Sequence, residues 1–153
     1  MIEMSEILID SPSQVKVIVF QLADKEYAIP VGQVRSIEKM QHITRVPKTN
    51  DFVKGVINLR GVVTPIIDLN ERFSLGETEY SESTRIIIVA LDEMEVGFIV
   101  DAANDVLDLP ADSIEQQPEV VGALEAEYLS GVAKLDKRLL ILIKLENVLN
   151  PIS

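Results

Sequence analysis

Residues able to carry out catalysis are scarce in this chain of 153 residues. Cysteine is absent, which removes thiolate nucleophiles, disulfides and thiolate metal sites together. The single histidine, His42, stands between Gln41 and Ile43 with no acidic residue within two positions, and reads as a solvated loop histidine rather than a general base. There is no Gly-x-Ser-x-Gly elbow, no phosphate-cradling glycine loop and no paired-histidine metal signature. Asp101, Asp105 and Asp108 are spaced so that they could gather into a carboxylate cluster, although among 25 acidic residues such groupings also arise by chance. The expectation is a protein that is not an enzyme and has no cofactor. An acidic metal-dependent hydrolase acting through Asp101 and Asp105 is the alternative.

Recognition chemistry is better supplied, at Arg60. It lies between Leu59 and Gly61 at a strand-to-strand corner, where the glycine permits φ > 0 and lets another backbone come close. A guanidinium there either pairs with a carboxylate of its own lobe or projects as a fork-like anchor for a partner. Asn58 adds an amide two residues away on the same strand face. An internal repeat separates these residues from their surroundings. Gly55, Val56, Leu59, Ile67 and Leu69 meet Gly131, Val132, Leu135, Ile143 and Leu145 at one offset, 131 − 55 = 76, while Asn58, Arg60 and Gly61 fall opposite Lys134, Asp136 and Lys137. What both copies keep, the fold needs; what one copy alone carries is a candidate for function.

The repeat extends to the elements that hold these residues. Val15 to Leu22 and Glu26 to Val31 read as a hairpin, matched by the segment from Arg85 to Val100 at 86 − 17 = 69. Each half then has a third strand (Val34 to Met40; Ala103 to Leu109), a fourth opening on Gly-Val and an aliphatic fifth (Val62 to Asp68; Arg138 to Ile143). Five short strands per half predict two small closed barrels, about 15–68 and about 85–143. Helical segments at 69–75 and 145–149 follow the fifth strands, and residues 1–14 form a flexible N-terminal segment. The fifth strands have no polar face to give to water and belong between the lobes. Pro65, lacking an N–H, points to an edge, a bulge or a barrel corner. Val31, Val34 and Ile37, with Val100, Ala103 and Val106 opposite them, are either core or the wall of an apolar slot at the seam. The offset grows by 76 − 69 = 7, so the second half carries an insertion between Pro110 and Leu129, either a neutral loop or a partner surface.

A formal net charge of −11 argues against a nucleic-acid face, which needs clustered Lys and Arg. The N-terminus has no apolar core with a basic flank, as a signal peptide would, and no apolar run approaches the roughly 18 residues that span a bilayer. No direct membrane insertion is expected.

The motif Gly55-Val56-Ile57-Asn58-Leu59-Arg60-Gly61, the following Pro65 and Asp68-Leu69, and Glu127-Tyr128-Leu129-Ser130-Gly131 resemble the CheW-like domain family of chemotaxis coupling proteins. The resemblance covers about 15–150 and extends to CheV and to the regulatory domain of the histidine kinase CheA. It implies a mainly β fold of two five-stranded SH3-like barrels, related by the duplication and packed on a shared hydrophobic core with short helices. It further implies a bacterial cytoplasmic adaptor at membrane-associated arrays, joining the hairpin tips of chemoreceptors to the CheA regulatory domain. A CheW-like domain of a larger kinase or of a CheV-type protein is the alternative within the family. Receptor contact maps onto Val31, Val34, Ile37, Asn58, Leu59, Arg60, Asp101 and Ala103. Kinase contact maps onto a first-lobe patch with Ile43, Val46 and Phe52, and a second-lobe patch with Glu115 and Val120. Some relatives carry a basic residue and an aromatic where Glu115 and Val120 stand.

Overall fold

The computed structural model describes residues 14–115, 128–135 and 137–149. In chain order the strands are β1 (Gln14–Leu22), β2 (Lys25–Pro30), β3 (Val34–Lys39), β4 (Val53–Leu59) and β5 (Val62–Asp68), closed by the short helix α1 (Leu69–Arg72). The second set is β6 (Arg85–Leu91), β7 (Met94–Val100), β8 (Ala102–Pro110), β9 (Ile114–Glu115), β10 (Leu129–Leu135) and β11 (Arg138–Ile143), closed by α2 (Leu145–Leu149). Asp68 caps α1, accepting from the Asn70 N–H at 3.1 Å. The helix is shorter than the expected 69–75 because Ser74 turns left-handed at φ 63. Of the expected N-terminal segment only Gln14 is described, and it opens β1.

Two sheets form, in the orders β8-β1-β2-β11-β10-β9 and β3-β6-β7-β5-β4. Matching strands by the repeat, β1 to β6, β2 to β7, β3 to β8, β4 to β10 and β5 to β11, turns one order into the other. The duplication is therefore a pseudo-two-fold of the whole molecule. The two lobes are not the contiguous segments 15–68 and 85–143, because each half lends its first hairpin to the other half's sheet. The joins are parallel ladders, Ile141 opposite Tyr27 in one and Ile67 opposite Phe98 in the other. A parallel pair needs a crossover connection, and the segments between β2 and β11 and between β5 and β7 supply one.

Neither sheet closes by a ladder between its edge strands. Closure runs instead through the chain that continues the third strand. Beyond β3, Thr44 makes a single bridge to Val56 on the outer edge of β4, with N···O distances of 2.9 and 2.8 Å. Beyond β8 and a 3₁₀ turn at Ala111–Ser113, β9 occupies the matching edge of β10, Glu115 opposite Val132. This close approach explains the repeated glycine. A Cβ on Gly55, at φ 142, would lie 2.0 Å from the Thr44 carbonyl oxygen, and one on Gly131 would lie 2.9 Å from that of Glu115.

The aliphatic fifth strands bury both faces, for a reason visible in their alternation. In β5, Ile66 enters a small core with Ile57, Ile86, Ile88 and Ile99, while Ile67 enters the large core shared by both lobes. In β11, Leu140 and Leu142 face a small core with Val17, Val19 and Ala133, while Ile141 and Ile143 face the shared core. A strand with core on both sides has no polar alternation to keep. Pro65 pairs with Val56 in β4, and the parallel ladder to β7 begins one residue later, at Ile66.

Candidate functional site

The turn between β4 and β5 consists of Arg60 and Gly61, with Leu59 and Val62 paired beneath it. Both turn residues are left-handed, at φ 52 and φ 86, as a two-residue type I′ hairpin requires. Gly61 meets this at no cost, whereas Arg60 occupies a conformation that few side chains other than Asn and Gly favour. Asn58 supplies the compensation: its Oδ1 accepts from the Gly61 N–H at 2.9 Å and locks the turn from beneath. Arg60 consequently stands at the tip of a fixed hairpin with its side chain 71% exposed, 3.4 Å from Glu38 of β3. Arg60 thus pairs within its lobe and still presents most of its fork to solvent.

The Glu38 contact brings the hairpin tip against β3. There Val34 packs against the shared core, while Ile37 is 42% exposed. The irregular register between Val34 and Ser36 sets Val34 opposite Val89 and Ile37 opposite Ile87, both residues of the shared core, so Val34 and Ile37 lie on one face of the sheet in spite of their odd spacing. Val31 lies in the 3₁₀ turn Val31–Gln33 that precedes β3. The matching half repeats the pattern: Val100 is fully buried, Ala103 packs against the shared core and Val106 is exposed. Leu59 packs partly against the small first-lobe core.

Asp101 is committed to architecture. Its carboxylate accepts from the Ala23 N–H at 2.7 Å, satisfying the left-handed turn between β1 and β2, and from the Asn70 side chain at 3.0 Å. Asp105 faces Arg138, 3.4 Å away, which also grips Glu26 through two nitrogens at 3.0 and 2.9 Å. The two aspartates put forward for a metal site are engaged with different partners, four residues and on the order of 13 Å apart along the strand. His42 is exposed, as a loop histidine should be.

Of the first-lobe residues put forward for kinase contact, Ile43 and Val46 line a groove of about 770 Å³, together with Arg45, Lys54, Glu71 and Tyr80. Across its floor Lys54 pairs with Glu71 and with Glu77 at 3.1 Å. Burial pulls the Lys54 ammonium down, but the hydrogen bonds and charges of the two glutamates more than offset it and hold it above its ordinary value. Phe52 does not share this groove; it packs against the shared core under the Arg72 guanidinium. Glu115 is exposed on β9, at the place on its lobe that Thr44 occupies on the first. Val120 lies outside the described residues, as does most of the insertion.

Three polar clusters were not singled out from the sequence: Lys54 with its glutamates, Arg138 with Glu26, and Arg72. Asp68, which the sequence offered only within the Asp68-Leu69 motif, is buried and accepts from the Thr78 N–H at 2.8 Å and hydroxyl at 2.6 Å. For Arg72 a signal was present, because its repeat counterpart is the aliphatic Val148.

Residues 16–152 match the family model described as the CheW-like domain. The chain belongs to the CheW-like family. Its similarity to curated CheW-like proteins is extensive: it is 50% identical to the chemotaxis protein CheW of Bacillus subtilis over 88% of this chain and 86% of that one. With the chemotaxis protein CheW of Klebsiella aerogenes it shares 41% identity over 87% of this chain and 80% of that one. The crystal structure of the scaffolding protein TtCheW from Thermoanaerobacter tengcongensis superimposes with a TM-score of 0.83 at 38% identity, covering 88% of this chain and 91% of that one. The CheW-like frame thus accounts for the paired sheets and the repeated glycines.

Proposed function

We propose that this protein is a non-catalytic chemotaxis adaptor that couples the cytoplasmic hairpin tips of chemoreceptors to the regulatory domain of the kinase CheA. It would work in the cytoplasm at membrane-associated arrays. Membership of a family whose relatives are named chemotaxis and scaffolding proteins supports the adaptor class. The observation that carries the receptor assignment is the hairpin tip itself. A guanidinium held on a locked turn, largely exposed, paired with Glu38 of the strand that carries the exposed Ile37 and absent from the other lobe, suits a docking anchor and has no fold-level need. Val31, Val34, Leu59, Asp101 and Ala103 complete the receptor surface in this reading.

Kinase contact is assigned to the two lobes separately. The groove with Ile43 and Val46, flanked by Phe52 at its junction with the shared core, is the first surface; Glu115 and Val120 are assigned to the second. Thr44 and Glu115 bridge equivalent edge strands, so the two surfaces are pseudo-symmetric and suit a partner built on the same duplicated plan. The hydrolase alternative loses its basis once Asp101 and Asp105 are separately engaged.

Arg60→Asn tests the assignment, because Asn tolerates the left-handed turn while removing the fork. Titration with a receptor cytoplasmic hairpin should show a loss of about 1–3 kcal/mol, with the melting temperature unchanged. Unchanged affinity would remove Arg60 from the receptor surface.

A further inference from the structure

Arg72 ends α1, and at the repeat offset, 148 − 72 = 76, its counterpart is Val148 of α2. The guanidinium binds its own counterpart: Nε donates to the Val148 carbonyl at 3.0 Å, and Nη2 donates to the Asn147 carbonyl at 3.4 Å. The third nitrogen, Nη1, donates to the Tyr128 hydroxyl at 2.5 Å. A contact between equivalent positions of two copies lies at the axis relating them. The two carbonyls end a five-residue helix, where acceptors lack intrahelical partners and a cation complements the terminus. The same group lies 4.9 Å from the centre of the Phe52 ring and 4.8 Å from that of Tyr128. Val148 fills its place as a wholly buried aliphatic residue, so an arginine at this position is a one-copy addition, as Arg60 is.

We propose that Arg72 is a positioning residue that couples the two candidate kinase surfaces across the pseudo-two-fold axis. Phe52 belongs to the first surface. Tyr128 leads into β10, whose partner strand β9 carries Glu115 of the second. One rigid planar group serves three acceptors and two rings, so a shift of Phe52 either carries Arg72 with it or strips one ring face from the guanidinium that holds Tyr128 and α2. The aromatic contact continues from Tyr128 to Phe73 at 5.1 Å, Phe73 to Tyr27 at 6.1 Å and Tyr27 to Phe20 at 5.9 Å, through the shared core. This coupling rests on reading Phe52 and Glu115 as partner-facing.

A double-mutant cycle read by amide hydrogen exchange on the full chain tests the coupling. Phe52→Ala alone should speed exchange around Tyr128 and Val148 about tenfold. In an Arg72→Met background, which keeps a stem between the rings but no donors, the same substitution should add less than about twofold. Equal effects in both backgrounds would overturn the proposal. If Arg72→Met does not melt cooperatively, Arg72→Lys, which keeps the charge but loses the planar fork, is read by the same criterion. Titration of Phe52→Ala with the kinase regulatory domain separates the two claims: unchanged affinity with intact amide coupling refutes the surface assignment and leaves the coupling standing.

Discussion

Arg60 is a side chain that costs the fold more than it returns. A left-handed non-glycine residue costs on the order of 1 kcal/mol, and an ion pair this exposed returns little, so the hairpin gains no stability from having arginine at its tip. The Asn58 amide is the residue that stabilises the turn. Asn58→Ala should cost about 1 kcal/mol in urea unfolding, by removing the acceptor for the Gly61 N–H. The sequence identified these residues through the mismatch between the copies, and it placed the left-handed glycine. It did not reveal that Arg60 itself is left-handed, because turn type depends on the register of the flanking pair, Leu59 with Val62. Gly55 makes the opposite case, a residue whose role is wholly steric. Gly55→Ala should destabilise by about 3 kcal/mol, and more than Gly131→Ala, since its Cβ would meet backbone at 2.0 Å rather than 2.9 Å. Thermal melts of the two variants check the order.

At the scale of elements, strand existence was legible and strand partnership was not. The fifth strands, Val62–Asp68 and Arg138–Ile143, carry the bounds expected of them because a continuous aliphatic run between turn residues admits little else. The exchange of hairpins left no mark in the sequence, since β1 and β2 bear the same alternation whichever sheet receives them. Closure by Thr44 and by β9 was equally silent: one bridge and two residues are too short to form a pattern. The loop carrying the groove is tied down by Lys54, and this predicts a pH dependence. A lysine whose folded value is raised contributes stability that is complete below its ordinary 10.5 and is lost as pH climbs through the higher folded value. The protein should therefore lose stability above about pH 10.5, and Lys54→Met should flatten that loss in urea titrations at pH 9 and 11.

For the whole molecule, the pseudo-two-fold organises the architecture. Each small core serves one lobe, the large core serves both, and α1 and α2 meet near the axis with Arg72 between them. Features common to the copies, such as the Gly-Val opening and the aliphatic fifth strand, build the frame. Features confined to one copy, Arg60 at the tip and Arg72 at the axis, are additions that the other copy does without. An adaptor needs surfaces far enough apart to be filled together, and in an array each contact can be modest because many act at once. The measurement that bears most directly on this is sedimentation of the chain with a receptor cytoplasmic hairpin and the kinase regulatory domain, singly and combined. A three-component complex should form, with Arg60→Asn losing the hairpin alone and Val46→Arg losing the kinase domain alone. Mutual displacement of hairpin and kinase domain, or loss of both from either folded variant, would contradict the account.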